Sequence, residues 1–394
     1  MSFEGVFGEA VDRIGGEPIS ARMARRAPLR HIDPLLLLAT VALAAYGVAM
    51  VYSATANKFE DQGLDPTALL KRQLAYAIVG GVALIVVALF DYRHLRSLAP
   101  VVYGATVLSL IVVLTPLGTI VKGARRWVDF GFFQAQPSEI AKLAVIVILA
   151  AYLAERKGEI RALDVAISVG LVAVPAGLIF LEPDLGTTMV FVALTGALLL
   201  IAGAKIRHFV ALGAVGVVAL LAAMQVDLIH DYQIDRITAF LDASPDVQSE
   251  GYNLTQSKIA IGSGGIEGKG FRGAQTQTTL DFVPEQQTDF IFTAVGEQLG
   301  FIGSAALLSL FALMVWRAVR IATMSRDLFG TLIAGGIAAL WAFQVFVNVG
   351  MTMGIMPITG IPLPFMSYGG SSLITNFIAV GLLLNIHMRR YLRA

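Results

Sequence analysis

Between positions 281 and 297 the chain reads DFVPEQQTDFIFTAVGE, which sets four carboxylates, Asp281, Glu285, Asp289 and Glu297, at and inside the edge of an apolar run. Three of them, Asp281, Glu285 and Asp289, fall close together. Such a group either holds a divalent cation, raises the pKa values of its own members, or is a solvated acidic loop. Asp289 follows Thr288 where the apolar run begins. There a carboxylate caps free backbone N–H groups and meets the positive end of a helix dipole, or it takes a proton from a substrate lying at that level, and the two roles are compatible. Glu297 lies two helical turns deeper, where an ionisable group is costly and faces the protein interior, so it is expected to be paired or functional.

Three further constellations carry chemistry. In QPSEIAKLAV, Glu139 and Lys142 are spaced to share one helix face; they are either a self-neutralising pair or a substrate or proton site lining a polar cavity. GARRWVDFG places Arg125 and Arg126 beside Trp127. Adjacent guanidiniums suit a phosphate or pyrophosphate group, while the indole fits an interfacial belt. EPDLGT sets Glu182 and Asp184 on either side of Pro183, for which a tight turn is the simplest account. Two apparent leads fail. IGSGGIEGKGF resembles a phosphate loop, but the position five before Gly268 is Ser263 and not Gly, and no strand precedes it. His31, His94, His208 and His387 fall at span borders on one side and His230 alone on the other, so neither a metal cluster nor a Ser-His-Asp triad can be assembled from them.

The elements that must position these groups are membrane helices. Of 394 residues, 56% are hydrophobic and 14% charged, and the mean hydropathy is +0.74, which excludes a water-soluble domain. An all-α polytopic membrane protein follows. Stretches of about 20 apolar residues are needed to cross the hydrocarbon core, and ten occur, near 34–54, 74–91, 98–117, 137–154, 163–182, 185–203, 207–226, 289–316, 328–354 and 369–388. Basic residues in the short connections, among them Arg93, Arg96, Arg156, Lys205, Arg317, Arg320 and Arg389, all fall on the side of Arg22, Arg25, Arg26 and Arg30. Both ends are therefore expected in the cytoplasm. The opposite connections, including a large loop at about 227–288 between spans seven and eight, face outside. Within that loop YNLTQSKIAIGSGG is weakly amphipathic and is expected to lie along the interface or dip into it. Residues 1–33 read as a cytoplasmic tail, not a cleaved leader, and 34–394 as one transmembrane domain. The net charge of +1 is dispersed, giving no face for nucleic acid. No cysteine is present, which excludes disulfides and thiolate chemistry.

The motifs GYNLTQSKIAIGSGGIEGKGF, TQTTLDFVPEQQTDFIFTAVGEQLG, GARRWVDFG, QPSEIAKL, EPDLGT and NVGMTMGIMPITGIPLPFMSYGGSS together resemble the SEDS family of bacterial cell-shape and division proteins, in order and spacing across nearly the whole chain after the tail. GKGF, TQT and PEQ are more similar to its elongation branch, RodA, than to its division branch, FtsW. The resemblance implies a peptidoglycan glycosyltransferase that polymerises lipid II at the outer leaflet beside a class B penicillin-binding protein, the transpeptidase. It implies Asp289 as the catalytic aspartate, with Gln287 standing where the family usually has His. It further matches Asp281 to a family acidic position and Glu139 with Lys142 to its Glu-x-x-Lys pair. In that chemistry Asp289 is general base on a sugar hydroxyl, and the charge of the departing undecaprenyl pyrophosphate is met by Arg125, Arg126, Arg236, Lys258 or Lys269, or by a divalent cation (Mg or Mn) held by Asp281, Glu285 and Asp289. Two other readings remain: a transporter of the lipid-linked precursor, with Glu139, Lys142, Glu297, Gln344 and Asn348 lining its path, and a scaffold that only holds the transpeptidase.

Overall fold

The computed structural model describes residues 31–121, 124–131, 133–156, 158–225, 250–273, 276 and 285–390. Arg236 and Asp281 lie outside these residues, as do His230 and the arginines of the N-terminal tail. In chain order come α1 (Pro34–Asp61), α2 (Ala68–Leu89), α3 (Arg93–Leu114), β1 (Thr119–Val121), β2 (Ala124–Asp129), β3 (Gln134–Ala135), α4 (Pro137–Ala154), α5 (Ala162–Leu181), α6 (Leu185–Ile201), α7 (Ile206–Gln225), α8 (Glu250–Ser263), α9 (Ile291–Met324), α10 (Leu328–Met353) and α11 (Gly370–Arg389). Eight helices, all but α6, α7 and α8, are long and apolar enough to cross a membrane; α6 and α7 are shorter apolar helices at the sixth and seventh expected stretches.

The helix ends differ from the apolar runs for electrostatic reasons. α2 begins at Ala68, several residues before its run, and takes Lys71, Arg72 and Gln73 into its first turns. Lys71 Nζ lies 2.8 Å from Asp65 Oδ2, because a long basic side chain at a helix end reaches back to water and a counter-charge. Aspartates start three helices: Leu36 N donates to Asp33 Oδ1 at 3.1 Å, Thr187 N to Asp184 Oδ1 at 3.1 Å and Gly330 N to Asp327 Oδ1 at 2.6 Å.

Helices α4, α10 and α11 are enclosed on most of their length, whereas α2 and α3 turn mainly outward. Small residues let the helices meet closely: Gly80 of α2 faces the Phe377 ring, and Gly381 of α11 faces the Leu84 carbonyl. Fully buried Trp341 donates from Nε1 to Asn376 Oδ1 at 2.8 Å, joining α10 to α11. The segment 118–136, one of the longer connections expected on the outer side, holds the antiparallel sheet β1-β2-β3, with Thr119 opposite Trp127 and Val128 opposite Ala135. Strands this short have no periodicity to read. The amphipathic piece of the large loop is α8, and it docks on protein: buried Ser257 lies 2.6 Å from Thr293 Oγ1 of α9 and donates to the Thr352 carbonyl of α10 at 2.8 Å.

Both described ends of the chain lie on one face, where His387 Nδ1 is 2.9 Å from the His31 carbonyl oxygen. Beside them Arg317 Nε donates to fully buried Asp33 Oδ2 at 2.9 Å, tying α9 to the start of α1. This is the terminal face; Asp289 belongs to the opposite one, the site face. Removing one partner of a buried ion pair strands the other charge. Asp33→Asn is expected to destabilise the fold by about 3 kcal/mol, read as a lowered melting temperature of the detergent-solubilised protein.

Candidate active site

The turn 285–290 leads into α9. Its geometry starts at Glu285, whose φ of 55° puts it in the left-handed region. From there its carbonyl accepts from Thr288 N at 3.1 Å and Asp289 N at 3.2 Å. The N-cap position falls to Phe290, with no side chain capping there, so Asp289 is a turn residue one step earlier and not the N-cap residue itself.

Asp289 is half-buried, and it is held by the loop 355–369 between α10 and α11. Asn348 Nδ2 donates to the Asp289 carbonyl at 2.9 Å and to the Ile361 carbonyl at 2.8 Å. Ser367 Oγ donates to the Thr288 carbonyl at 2.6 Å, and Tyr368 N to the Gln287 carbonyl at 2.7 Å. Only the backbone of Gln287 enters this contact. Gly360, at φ 71°, leaves room where a Cβ would sit 3.4 Å from Asp289 Oδ2. The same loop gathers its surroundings: Gly186 of α6 backs onto the Thr359 carbonyl and Ile361, and Gln73 Nε2 of α2 donates to the Ser367 carbonyl at 3.3 Å. Just beyond it, Ser371 Oγ donates to the Gln134 carbonyl at 3.1 Å.

The other predicted site residues have defined places. Glu139 and Lys142 are both buried and paired, Oε1 to Nζ, at 2.8 Å. Gly336 of α10 packs on Ile146 of α4, so in these antiparallel helices Glu139 and Gln344, each about two turns toward the site face, share a level. Glu139 Oε2, Ser138 Oγ, both Gln344 amide atoms and Asn348 Oδ1 are buried without protein hydrogen-bond partners. Buried polar atoms in that state are met by water or by a polar ligand. Arg125 Nη1 donates to the Thr115 carbonyl at 3.3 Å. Arg126 donates to the carbonyls of Glu182, at 2.9 Å, and Pro183. Lys258 lies across Gly354, the left-handed cap of α10. Lys269 Nζ is 2.8 Å from Oε1 of fully buried Glu297, so Glu297 is paired, as its depth required. Among the described residues no three Asp, Glu, His or Cys side chains are grouped to hold a metal ion. Glu285 and Asp289 alone do not make such a set.

Sequence reasoning passed over Arg72, Tyr76 and Tyr368. Arg72 is exposed in the first turns of α2 and its guanidinium lies beside the Tyr368 side chain, whose backbone braces Gln287. The only linear signal was a basic residue just inside a span, and α2 was expected to start after it.

The fold and this face define a polytopic helical membrane protein with a carboxylate held at one membrane boundary by a buried irregular loop. The chain belongs to the FtsW/RodA/SpoVE family, described as cell cycle protein, whose profile matches residues 34–392. It is 37% identical over 360 residues to the peptidoglycan glycosyltransferase MrdB of Escherichia coli (strain K12), covering 91% of this chain and 94% of that one. It is 39% identical over 363 residues to stage V sporulation protein E of Bacillus subtilis (strain 168), covering 90% and 96%. Among solved structures, the rod shape determining protein RodA of Thermus thermophilus superposes with a TM-score of 0.68 at 31% identity, covering 92% of this chain and 98% of that chain. A chain from a peptidoglycan synthase complex that coordinates polymerization and crosslinking superposes at 0.78 with 32% identity, covering 92% and 99%.

In the EPDLGT turn, Glu182 is buried and neither carboxylate oxygen has a partner. Burial, with a smaller push from the Asp184 charge and against the pull of Arg126, raises its pKa to about 8. An acid whose folded pKa is raised binds more protons folded than unfolded between its ordinary value and about 8, so stability falls as pH rises through that window. Wild type is therefore expected to lose melting temperature from pH 5 to pH 8 relative to Glu182→Gln, in scans of the two proteins side by side.

Proposed function

We propose that this chain is a peptidoglycan glycosyltransferase that polymerises lipid II in cell-wall elongation. The names of its relatives support the activity. The single observation that carries the chemistry is the half-buried Asp289 carboxylate, set against Gly360 with its backbone gripped by Asn348. In this reading Asp289 takes the proton from a sugar hydroxyl of one lipid-linked unit. The oxygen then bonds to the anomeric carbon of another, and the bond to undecaprenyl pyrophosphate breaks as that group leaves with the electron pair. The pyrophosphate needs positive charge but no proton. Arg72 is well suited to supply it: it is exposed, sits one phenol away from the Asp289 turn, and makes no ion pair among the described residues. Lys258 is likewise exposed and makes no ion pair among the described residues, so it is a second candidate. Arg125 and Arg126 would have to release the carbonyls they hold, Lys269 is committed to Glu297, and Arg236 is a further candidate. Glu139 and Lys142 fit a polar wall below the reacting groups, alongside Gln344.

The distribution of basic residues supports both termini in the cytoplasm and the site face outside, where lipid II is consumed. Likeness to a chain of a peptidoglycan synthase complex supports a class B penicillin-binding protein as the partner that crosslinks the strands.

The test is to incubate the purified protein, with its cognate penicillin-binding protein, with lipid II and to resolve the products by size. Asp289→Asn is expected to lose about 10²–10⁴-fold in polymerisation rate, with melting temperature and complex formation unchanged. Full activity in that variant would refute the base. Labelled lipid crossing vesicles without polymer would instead favour a transporter, a reading to which the break in α9 lends support.

A further inference from the structure

The helix that carries Asp289 is not one rigid rod. At Gly300 the backbone takes φ 61° and ψ −156°, a region essentially confined to glycine, and α9 breaks there. Above the break, Ile291 to Gln298 are buried on every face; directly below it, Phe301 and Ile302 are exposed. The lower part, Phe301 to Met324, covers about 36 Å at 1.5 Å per residue, enough to cross a bilayer unaided. The upper part is thus a separate short helix enclosed in protein, and its direction is not dictated by the span beneath it.

The glycine-rich loop 264–270 supplies that direction. Lys269 N donates to the Glu297 carbonyl and Gly270 N to the Gln298 carbonyl, each at 3.0 Å. On the other side of the break Phe301 N donates to the Gly265 carbonyl at 2.9 Å and Ile302 N to the Ile266 carbonyl at 3.1 Å. The loop replaces the helix's own hydrogen bonds on both sides of the interruption. Contact is backbone on backbone: a Cβ on Gly264 would strike the Gly296 carbonyl, and one on Gly268 the Gln298 carbonyl. Among the described residues, the ion pair of Lys269 with Glu297 locks the loop's side chain to the upper helix. Arg272, two residues past the loop, ties it to α1 by donating to Tyr52 OH at 2.9 Å, Asn57 Oδ1 at 2.8 Å and Glu60 Oε1 at 2.9 Å.

We propose that the Lys269–Glu297 pair is a positioning latch: it sets the register between the loop 264–270 and the upper segment of α9, and through that segment the place of Asp289 against Gly360. The inference rests on the reading of Asp289 as the base. Its physical ground is that an ion pair with one member, Glu297, fully buried and the other, Lys269, partly exposed adds little net stability, while the best-attested use of such charges is to fix register. Here the register matters, because a misplacement of about 1 Å at a reacting group can cost about 10²-fold in rate. Lys269 and Glu297 are positioning residues, acting through the helix and not on the substrate.

The experiment is steady-state polymerisation of lipid II by the complex with its penicillin-binding protein, for Lys269→Met, Glu297→Gln, the double variant, Lys269→Arg and Asp289→Asn, with amide hydrogen exchange on each. Both single variants are expected to lower kcat about 10- to 100-fold with KM within about twofold. The double variant should be no worse than the poorer single one, Lys269→Arg should keep most of the rate, and exchange at Phe301 and Ile302 should speed up in the singles only. Glu297→Gln keeps the side chain's size and an acceptor, so it carries the test if Lys269→Met fails to accumulate. A wild-type rate for Glu297→Gln overturns the latch. So does a raised KM with unchanged kcat in Lys269→Met, which would make Lys269 a substrate contact, or unaltered exchange across the break. An active Asp289→Asn with wild-type exchange overturns the base instead, so the two failures are told apart.

Discussion

At membrane depth no bulk water meets a backbone N–H or a charge, so every such group must find its partner inside the protein. That constraint organises this molecule more than any single apolar contact does. It explains why the interruption of α9 is filled by backbone from the loop 264–270, why Glu139 and Lys142 occur one turn apart, and why Arg317 reaches back to the residue that caps α1. Each arrangement closes a polar group against another element, and each thereby fixes where two elements sit. Rigidity at the site face is a by-product of satisfying these groups.

The loop 355–369 is the clearest case. Irregular backbone is tolerated in a buried position only if side chains take up its hydrogen bonds. Asn348, Ser367 and Gln73 do so from three different elements. In doing so they also hold the carbonyls of Thr288 and Asp289. The same polar bonds that make a non-helical loop possible thus aim the carboxylate, and the groups that might meet a substrate stand on surfaces already braced. Loops of this kind, carried on a rigid scaffold, are where chemistry usually lies.

Much of the arrangement could be read along the chain, where its cause is local. Apolar runs of span length marked the helices, because crossing hydrocarbon requires them whatever the neighbours are. A spacing of three put Glu139 and Lys142 on one face, and the depth of Glu297 called for either a partner or a function. Boundaries slipped where a charge sits inside a helix end, as at Arg72, and the sheet β1-β2-β3 escaped notice because its strands are too short to show alternation.

What tertiary structure decided is which cation stands where. Linear reading could offer Arg125, Arg126, Lys258 and Lys269 as equal partners for a phosphate, since a charge in a sequence carries no record of its commitments. The fold hydrogen-bonds Arg126 to two carbonyls, pairs Lys269 with a carboxylate 28 positions away, lays Lys258 over a helix cap and leaves Arg72 exposed near the Asp289 turn. Local composition determines that a segment must be a buried helix or a solvated loop, because that depends on transfer between water and hydrocarbon. Which charges meet depends on contacts between residues far apart in the chain, and those exist only once the helices have packed.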